Sequence, residues 1–472
     1  MKTQIAQDCR THGFNRRGAL ARIGGGALTA PIFNTMLNMR LASDIAAQSG
    51  GGYKAMVCLF LDGGNDSYNM LSPRTASEHA TYSSSRSNLA LPLTGTGASL
   101  PISPINTPGR QFGIHPSMPE VRDLFNSGDL AFIANTGTLV EPMTVAQYNA
   151  GGPAPRSLFS HSDQQSQWAT SVPQSTIQNG WFGRAADTLE SLHNPASSLS
   201  MNFTLGGSTL QQTGAAGATA YTISDTGAVE LWADGSAGGL GLFSQGMRAT
   251  AASPKINLLE QVIGQEGESA YDNAGIFNSA FQSSSLATTF PTSDLGNNLK
   301  AVARTIKAHG SFGMNRQTFL VREAGFDMHG ELLQAHALSM QGLSQAVGAF
   351  WDALGEMNLR DEVVLFVCSE FGRTLRSNGG GTDHAWGGNV FALGGGVNGK
   401  NIYGQYPTAL TLGSGLDVGS NGRILPTTSC DEYFCDLLRW FGVGAGDMAS
   451  VLPNIGNFYN PYSTTPPLGL MV

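Results

Sequence analysis

Four short segments hold most of the side chains in this chain that could do chemistry. LDGGND carries Asp62 and Asp66, GFDMH carries Asp327 and His329, SEFGR carries Glu370 and Arg373, and GTDH carries Asp383 and His384. Asp62, the pair Asp327 and His329, and Glu370 each follow an apolar run, which predicts them at strand ends. The loop after Glu370 adds Asp383 and His384. Carboxylates and imidazoles converging on one sheet edge make an oxygen and nitrogen site suited to Zn²⁺, Mn²⁺ or Fe, or to Ca²⁺ or Mg²⁺ where carboxylates dominate. The expected ligand set is Asp62, Asp327, His329, Glu370 and His384, for one or two divalent ions, with Asp383 supporting its loop. Each has an ordinary alternative: Asp62 as a turn former, Asp327 as a helix cap, Glu370 as the ion-pair partner of Arg373, His329 as a surface histidine, and His384 bonded locally.

The elements around these segments predict an α/β fold, a central mostly parallel sheet with helices on both faces. Val363–Ser369 is apolar at every position but its last, as a strand buried on both faces is, and it delivers Glu370 to its C-terminal end. Open α/β sheets bind ligands at that edge. Lys54–Asp66 reads as a second such strand and its turn. A helix near Pro119–Asn126, a turn at Gly128 and a strand Leu130–Asn135 form an αβ unit. Arg316–Gly330 is a strand ending in D-x-H. The helix after it has apolar residues at three- and four-residue spacing, from Leu332 to Leu354, and leads to Val363 as a β-α-β crossover. Within that helix His336 reads as structural. Arg156–Trp168 opens a helix with a polar cluster at its start, Asn389–Gly395 is a further strand, and Ser429 with Glu432 forms a capping box for a helix Cys430–Phe441. Residues 200–300, rich in Gly, Ala, Ser and Thr, read as an inserted cap.

Composition narrows the classes. Against 34 Asp+Glu stand 26 Lys+Arg, a net charge of −8, which argues against a nucleic-acid partner. Arg16 and Arg17 precede a short Gly/Ala-rich segment that contains Gly24–Gly26 and is too short and too polar for a stable membrane span. That pattern predicts a twin-arginine signal over residues 1–50, with the export machinery as a partner and a periplasmic or extracellular destination for a single domain over 51–472. Cys430 and Cys435 are five residues apart in a predicted helix, about 8.7 Å at Cα, beyond the roughly 7 Å that a disulfide spans.

The succession LDGGND, IHP, S-H-x-x-Q, NGWFGR, GFDMH, SEFGR and GTDH resembles the bacterial family called domain of unknown function 1501, over roughly residues 54–410. That family is similar to the alkaline phosphatase–sulfatase superfamily, whose members hold one or two divalent metals at the C-terminal edge of a mostly parallel sheet. The resemblance implies an exported metal-dependent hydrolase of small or polymeric phosphate or sulfate esters; the alternative is an exported binding or assembly protein that keeps the fold with a degenerate metal site. By position, Asp62 matches the first-strand metal aspartate, Asp327 and His329 the D-and-H pair, Glu370 the strand-end aspartate, and His384 the last histidine ligand. The nucleophile of such enzymes sits at a helix N-terminus, which here implies one of Ser160, His161 and Ser162, with Ser160 first because it directly precedes the histidine. His115 is implied for orientation or proton transfer, and Arg373 for binding an anion or pairing Glu370. Where the superfamily places a histidine after the strand-end carboxylate, this chain has Phe371, so one metal position is expected to be weakened.

Overall fold

The structure is a computed structural model that describes residues 52–207, 209–229 and 239–472. The twin-arginine pair and its surroundings lie outside these residues. The strands are β1 (Lys54–Leu61), β2 (Leu71–Pro73), β3 (Leu100–Ile102), β4 (Phe112–Ile114), β5 (Leu130–Gly137), β6 (Asn202–Thr204), β7 (Ala220–Ser224), β8 (Gly227–Ala228), β9 (Arg316–Glu323), β10 (Val363–Ser369), β11 (Gly388–Gly394), β12 (Ile402–Gly404) and β13 (Thr428–Ser429). The main sheet runs β12-β5-β11-β10-β1-β9-β6-β7-β8, with β13 also paired to β5, while β2, β4 and β3 form a small separate sheet. Pairing is parallel from β10 through β1, β9 and β6 to β7. β11 inserts antiparallel between β10 and β5, and β8 turns back on β7. The sheet is therefore mixed and mostly parallel.

The helices that matter here are α1 (Ala76–Arg86), α2 (Pro119–Ser127), α3 (His161–Thr170), α4 (Trp181–His193), α5 (Gly239–Ala252), α6 (Leu258–Ser283), α7 (Asp294–Lys307), α8 (Leu332–Met357) and α9 (Cys430–Phe441). Alternation along the central strands builds two cores. Val57, Leu59 and Leu61 point to the face covered by α2, α7 and α8. Met56, Cys58 and Phe60 point to the face covered by α4 and α9. Two covered faces explain why β1 and β10 are apolar almost throughout. Helix α9 starts at the expected capping box of Ser429 and Glu432. The four described cysteines are buried and free.

Residues 200–300 are partly the sheet's own edge, because β6 to β8 extend it beyond β9. Helices α5 and α6 pack on each other, and Phe277 of α6 stacks on Phe312. What positions the site is simpler. Leu61 lies in register with both Ser369 and Glu323, so β1, β9 and β10 end level with one another and release their following loops at one edge.

Candidate metal centre

Asp327 is the hub of that edge. Its Oδ1 lies 3.0 Å from His329 Nε2 and 3.2 Å from His384 Nε2, and its Oδ2 lies 3.4 Å from His161 Nε2. The two Nε2 atoms of His329 and His384 are 3.2 Å apart. The donor atoms of His161, Asp327 and His384 all fall within 4.8 Å of one another. Corners of a tetrahedron with bonds of about 2.0–2.1 Å are about 3.3–3.4 Å apart, close to the distances from Asp327 to His161 and His384 and from His384 to His329, while His329 stands outside the group that His161, Asp327 and His384 form.

The outer nitrogens decide what the inner ones can do. His161 Nδ1 lies 2.8 Å from Glu370 Oε1, and His384 Nδ1 lies 2.8 Å from the carbonyl oxygen of Phe159. Both oxygens only accept, so each Nδ1 carries the proton and each Nε2 presents a lone pair. His329 Nδ1 faces Asp383 Oδ1 at 3.4 Å. Metal-binding histidines are held in this way, by an acceptor on the nitrogen that does not ligate. Lone pairs gathered around a carboxylate repel one another unless a cation or a proton lies between them. The residues thus fit a divalent ion with nitrogen and oxygen ligands.

Charge is tuned to match. Burial raises the Asp327 carboxyl, but the hydrogen bond and charge of Arg373, with His329 and His161, outweigh it and hold Asp327 below the usual carboxylate range. Burial, aided by the charge of Arg373, brings His384 below the usual imidazole range despite the Phe159 carbonyl and the Asp327 carboxylate beside it. The neutral imidazole and the ionised carboxylate are the ligating forms.

Glu370, expected as a ligand, is fully buried and acts behind His161. One face of α3 encloses it. His161 and Gln165 Nε2 reach Glu370 Oε1, while Gln164 Nε2 and Trp168 Nε1 donate to the Glu370 carbonyl. These are positions i, i+4, i+3 and i+7 of the helix, neighbours on one side. Gly63 N–H also donates to Oε1 at 2.8 Å. Gly63 must be glycine: its φ is +119°, and a Cβ there would lie 2.2 Å from the Asp327 nitrogen. Just before α3, Phe159 has φ +72°, an uncommon conformation for a bulky residue, and its carbonyl is the acceptor for His384.

His384 reaches the centre because the chain doubles back. Gly372 and Trp386 bond through their backbones, as do Thr374 and Asp383, and Arg373 bridges to His384. The Phe371 ring lies inside this turn, stacked on His384 at 4.7 Å and 4.9 Å from His161. It forms an apolar wall behind two of the ligand candidates.

The other expected residues lie elsewhere. Asp62 makes a two-pronged ion pair with Arg322 and accepts from Gln165, so it is one side chain removed from Glu370. Arg373 is buried and donates to Asp327, to the Gly63 carbonyl and to Thr382, with no hydrogen bond or ion pair to Glu370 among the described residues. Ser160 stands at the N-cap position of α3 without bonding the helix backbone through its side chain, and its hydroxyl donates to Asp163 Oδ2 at 2.6 Å. His115 belongs to a separate buried group, edge-on to His336, whose Nε2 bonds Asn65. Burial carries both His115 and His336 down to about 3. His161 is the ligand candidate that sequence reasoning placed in another role. Its signal was there in the spacing of His161, Gln164, Gln165 and Trp168.

The sequence pattern described as "Protein of unknown function (DUF1501)" matches residues 53–412. The chain belongs to this family. The match takes in every residue of the Asp327 cluster and the face of α3 that holds Glu370, so the centre lies inside the family's region. No curated protein matches the chain. The NGWFGR segment, also inside the family region, is explained by packing. Trp181 stacks on Phe434, and Arg184 donates to the carbonyls of Val451, Thr170 and Asn179.

Proposed function

We propose that the chain is a metal-dependent hydrolase of phosphate or sulfate esters, exported by the twin-arginine route, with one divalent ion held by His161, Asp327, His329 and His384. The observation that carries this reading is the meeting of three Nε2 atoms on Asp327 while acceptors take the outer nitrogens. When bound, such an ion would polarise the ester oxygen and lower the pKa of an attacking hydroxyl or water. Glu370 fixes the tautomer of His161. Arg373 keeps Asp327 ionised and aimed. Ser160 stands at the N-terminus of α3, where backbone N–H groups favour an anion, and Asp163 is placed to take its proton. Export is supported by Arg16–Arg17 and the Gly/Ala-rich segment after them. Phosphate and sulfate esters are what the resemblance of the sequence motifs to the alkaline phosphatase–sulfatase superfamily implies. Phe371, apolar where that superfamily has a histidine, favours one ion over two.

A second reading is an exported binding or assembly protein whose ion is structural. The pairing of Asp62 with Arg322 favours it, because that ion pair removes the first-strand carboxylate from the centre. Purified protein offered aryl phosphates and aryl sulfates with Zn²⁺, Mn²⁺ or Ca²⁺ separates the two. Turnover abolished by Asp327→Ala and His384→Ala supports the hydrolase, and a tightly held ion without turnover selects the second reading. No bound ion under any of these conditions overturns both.

A further inference from the structure

The doubled-back turn that carries His384 is gripped by a ribbon from further along the chain. Gly387 N–H donates to the Ile424 carbonyl at 2.8 Å and Leu375 N–H to the Gly422 carbonyl at 3.1 Å, so the ribbon bonds to both arms of the turn. One carboxylate closes the ribbon on itself. The Asp417 side chain takes the N–H groups of Gly413, Gly422 and Arg423, and Val418 N–H donates to the Arg423 carbonyl. Gly422 has φ +82°, and a Cβ there would lie 2.4 Å from the Leu375 Cβ, so this close seating requires glycine.

Arg423 is the residue that the ribbon presents to the metal centre. Its Nε donates to the His384 carbonyl at 3.0 Å, and its guanidinium lies over the Phe159 ring, 4.2 Å from the ring centre. The Phe159 carbonyl in turn faces His384 Nδ1 at 2.8 Å. Arg423, His384 and Phe159 thus close a triangle, in which one side chain holds both the backbone of a ligand candidate and the residue that fixes its tautomer. Phe159 needs such a hold. A φ of +72° is strained for a bulky residue and persists only where the surroundings over-determine it. Gln164 Oε1 takes its N–H at 2.6 Å, and Arg423 takes its ring. A planar guanidinium can donate a hydrogen bond and stack flat on an aromatic face, which a compact ammonium cannot. Arg423 also lies beyond residues 53–412, so the hold comes from a part of the chain that the family pattern does not cover.

We infer that Arg423 is a positioning residue for the metal centre, holding His384 with Nε2 toward the ion by fixing the His384 carbonyl and the Phe159 ring together. The inference rests on the metal reading of the site. Two measurements test it. Heteronuclear NMR of the imidazole nitrogens in metal-free protein reads the tautomer of His384, and calorimetric titration with Zn²⁺ reads the affinity. The wild type is expected to show the Nδ1–H form of His384 alone. Arg423→Ala should show both tautomers and bind Zn²⁺ about 10–100-fold more weakly, the usual effect of losing such a support. Arg423→Gln keeps a donor nitrogen on Cδ, where Arg423 carries Nε, but loses the plane over Phe159, and its values should fall between the two. Gly128→Ala, which strains a turn with open space around it, should leave both readouts as in the wild type. Wild-type tautomer or wild-type affinity in Arg423→Ala, or the same losses in Gly128→Ala, overturns the inference. Should Arg423→Ala fail to fold, Arg423→Gln carries the test, and wild-type values in both readouts overturn it. A wild type that binds no ion, with the tautomer still shifted in Arg423→Ala, overturns the metal reading and supports the hold of Arg423 on His384.

Discussion

Glu370 Oε1 lies 2.8 Å from His161 Nδ1, and this contact turns the inner nitrogen of His161 toward Asp327. The carboxylate at the end of the central strand thus governs the site through an imidazole. Glu370→Gln keeps an acceptor oxygen but removes the charge. Metal affinity is expected to fall by about 10–100-fold, the usual effect of losing such a partner, with little change in the melting temperature of the metal-free protein. Competition against a chromophoric chelator checks this. An unchanged affinity would show that Glu370 does not tune His161.

Arg373 is the only described side chain whose guanidinium joins Asp327 to the Gly63 carbonyl and Thr382. Arg373→Ala leaves the buried Gly63 carbonyl and Thr382 without their donor, and it frees the half-exposed Asp327. It should destabilise the protein by about 1–3 kcal/mol for each acceptor left unsatisfied, and it should weaken metal binding by freeing Asp327. Urea denaturation with and without chelator reads both effects. Equal stability losses in the two conditions would mean that Arg373 acts on the fold alone.

The approach of the Gly63 backbone to Asp327 has a separate test. Gly63→Ala places a methyl group against the Asp327 nitrogen and forces a left-handed conformation on a residue with a Cβ. The strained backbone alone should cost roughly 1–3 kcal/mol. Because the clash falls on the loop that carries Asp327 and His329, metal affinity should fall with stability. Gly128→Ala, which also has a positive φ but open space around it, serves as the control that loses stability alone.

The pair His115 and His336 predicts an acid sensitivity. Burial holds both at about 3 when folded, against about 6.5 when unfolded. Between those values the unfolded chain binds protons that the folded one does not, so stability rises with pH and is lost as pH falls from 6.5 toward 3. Each histidine contributes about 1.4 kcal/mol per pH unit in that window. Asp431 and Asp436 oppose this, because burial raises them to about 6 and favours the folded state as they take up protons. The contribution of His336 is therefore read as a difference. The stability of wild type relative to His336→Gln should decline steadily from pH 6.5 to pH 4, and a flat difference would contradict the burial argument.

Much of the frame could be read before any coordinates. Strands β1 and β10 announce themselves as apolar runs because both sheet faces are covered, β9 shows only a short apolar centre at Phe319–Val321, and the acidic residues after them locate the site. Rank within the site was harder. Glu370 looks like a ligand because a strand end tells where a carboxylate emerges, whereas its distance behind His161 depends on α3 packing across it. Arg373 stands near Glu370 in sequence, yet the doubling back of residues 372–386 turns it to Asp327. The short strands β6 to β8 lie in Gly- and Ser-rich sequence, where pairing of β6 with β9, of β7 with β6 and of β8 with β7 overrides weak local preference. Asp62 reads equally well as ligand or turn former, and only the arrival of Arg322 from the neighbouring strand assigns it to an ion pair.

The central claim, an ion held between His161, Asp327, His329 and His384, is tested most directly by titrating metal-free protein with Zn²⁺ and measuring stoichiometry and affinity by calorimetry. One equivalent should bind to the wild type, and the double variant His161→Ala/His384→Ala should lose that binding by at least a hundredfold while remaining folded by circular dichroism. Failure of the wild type to bind any of Zn²⁺, Mn²⁺ or Ca²⁺, or full binding retained by the double variant, would contradict the account.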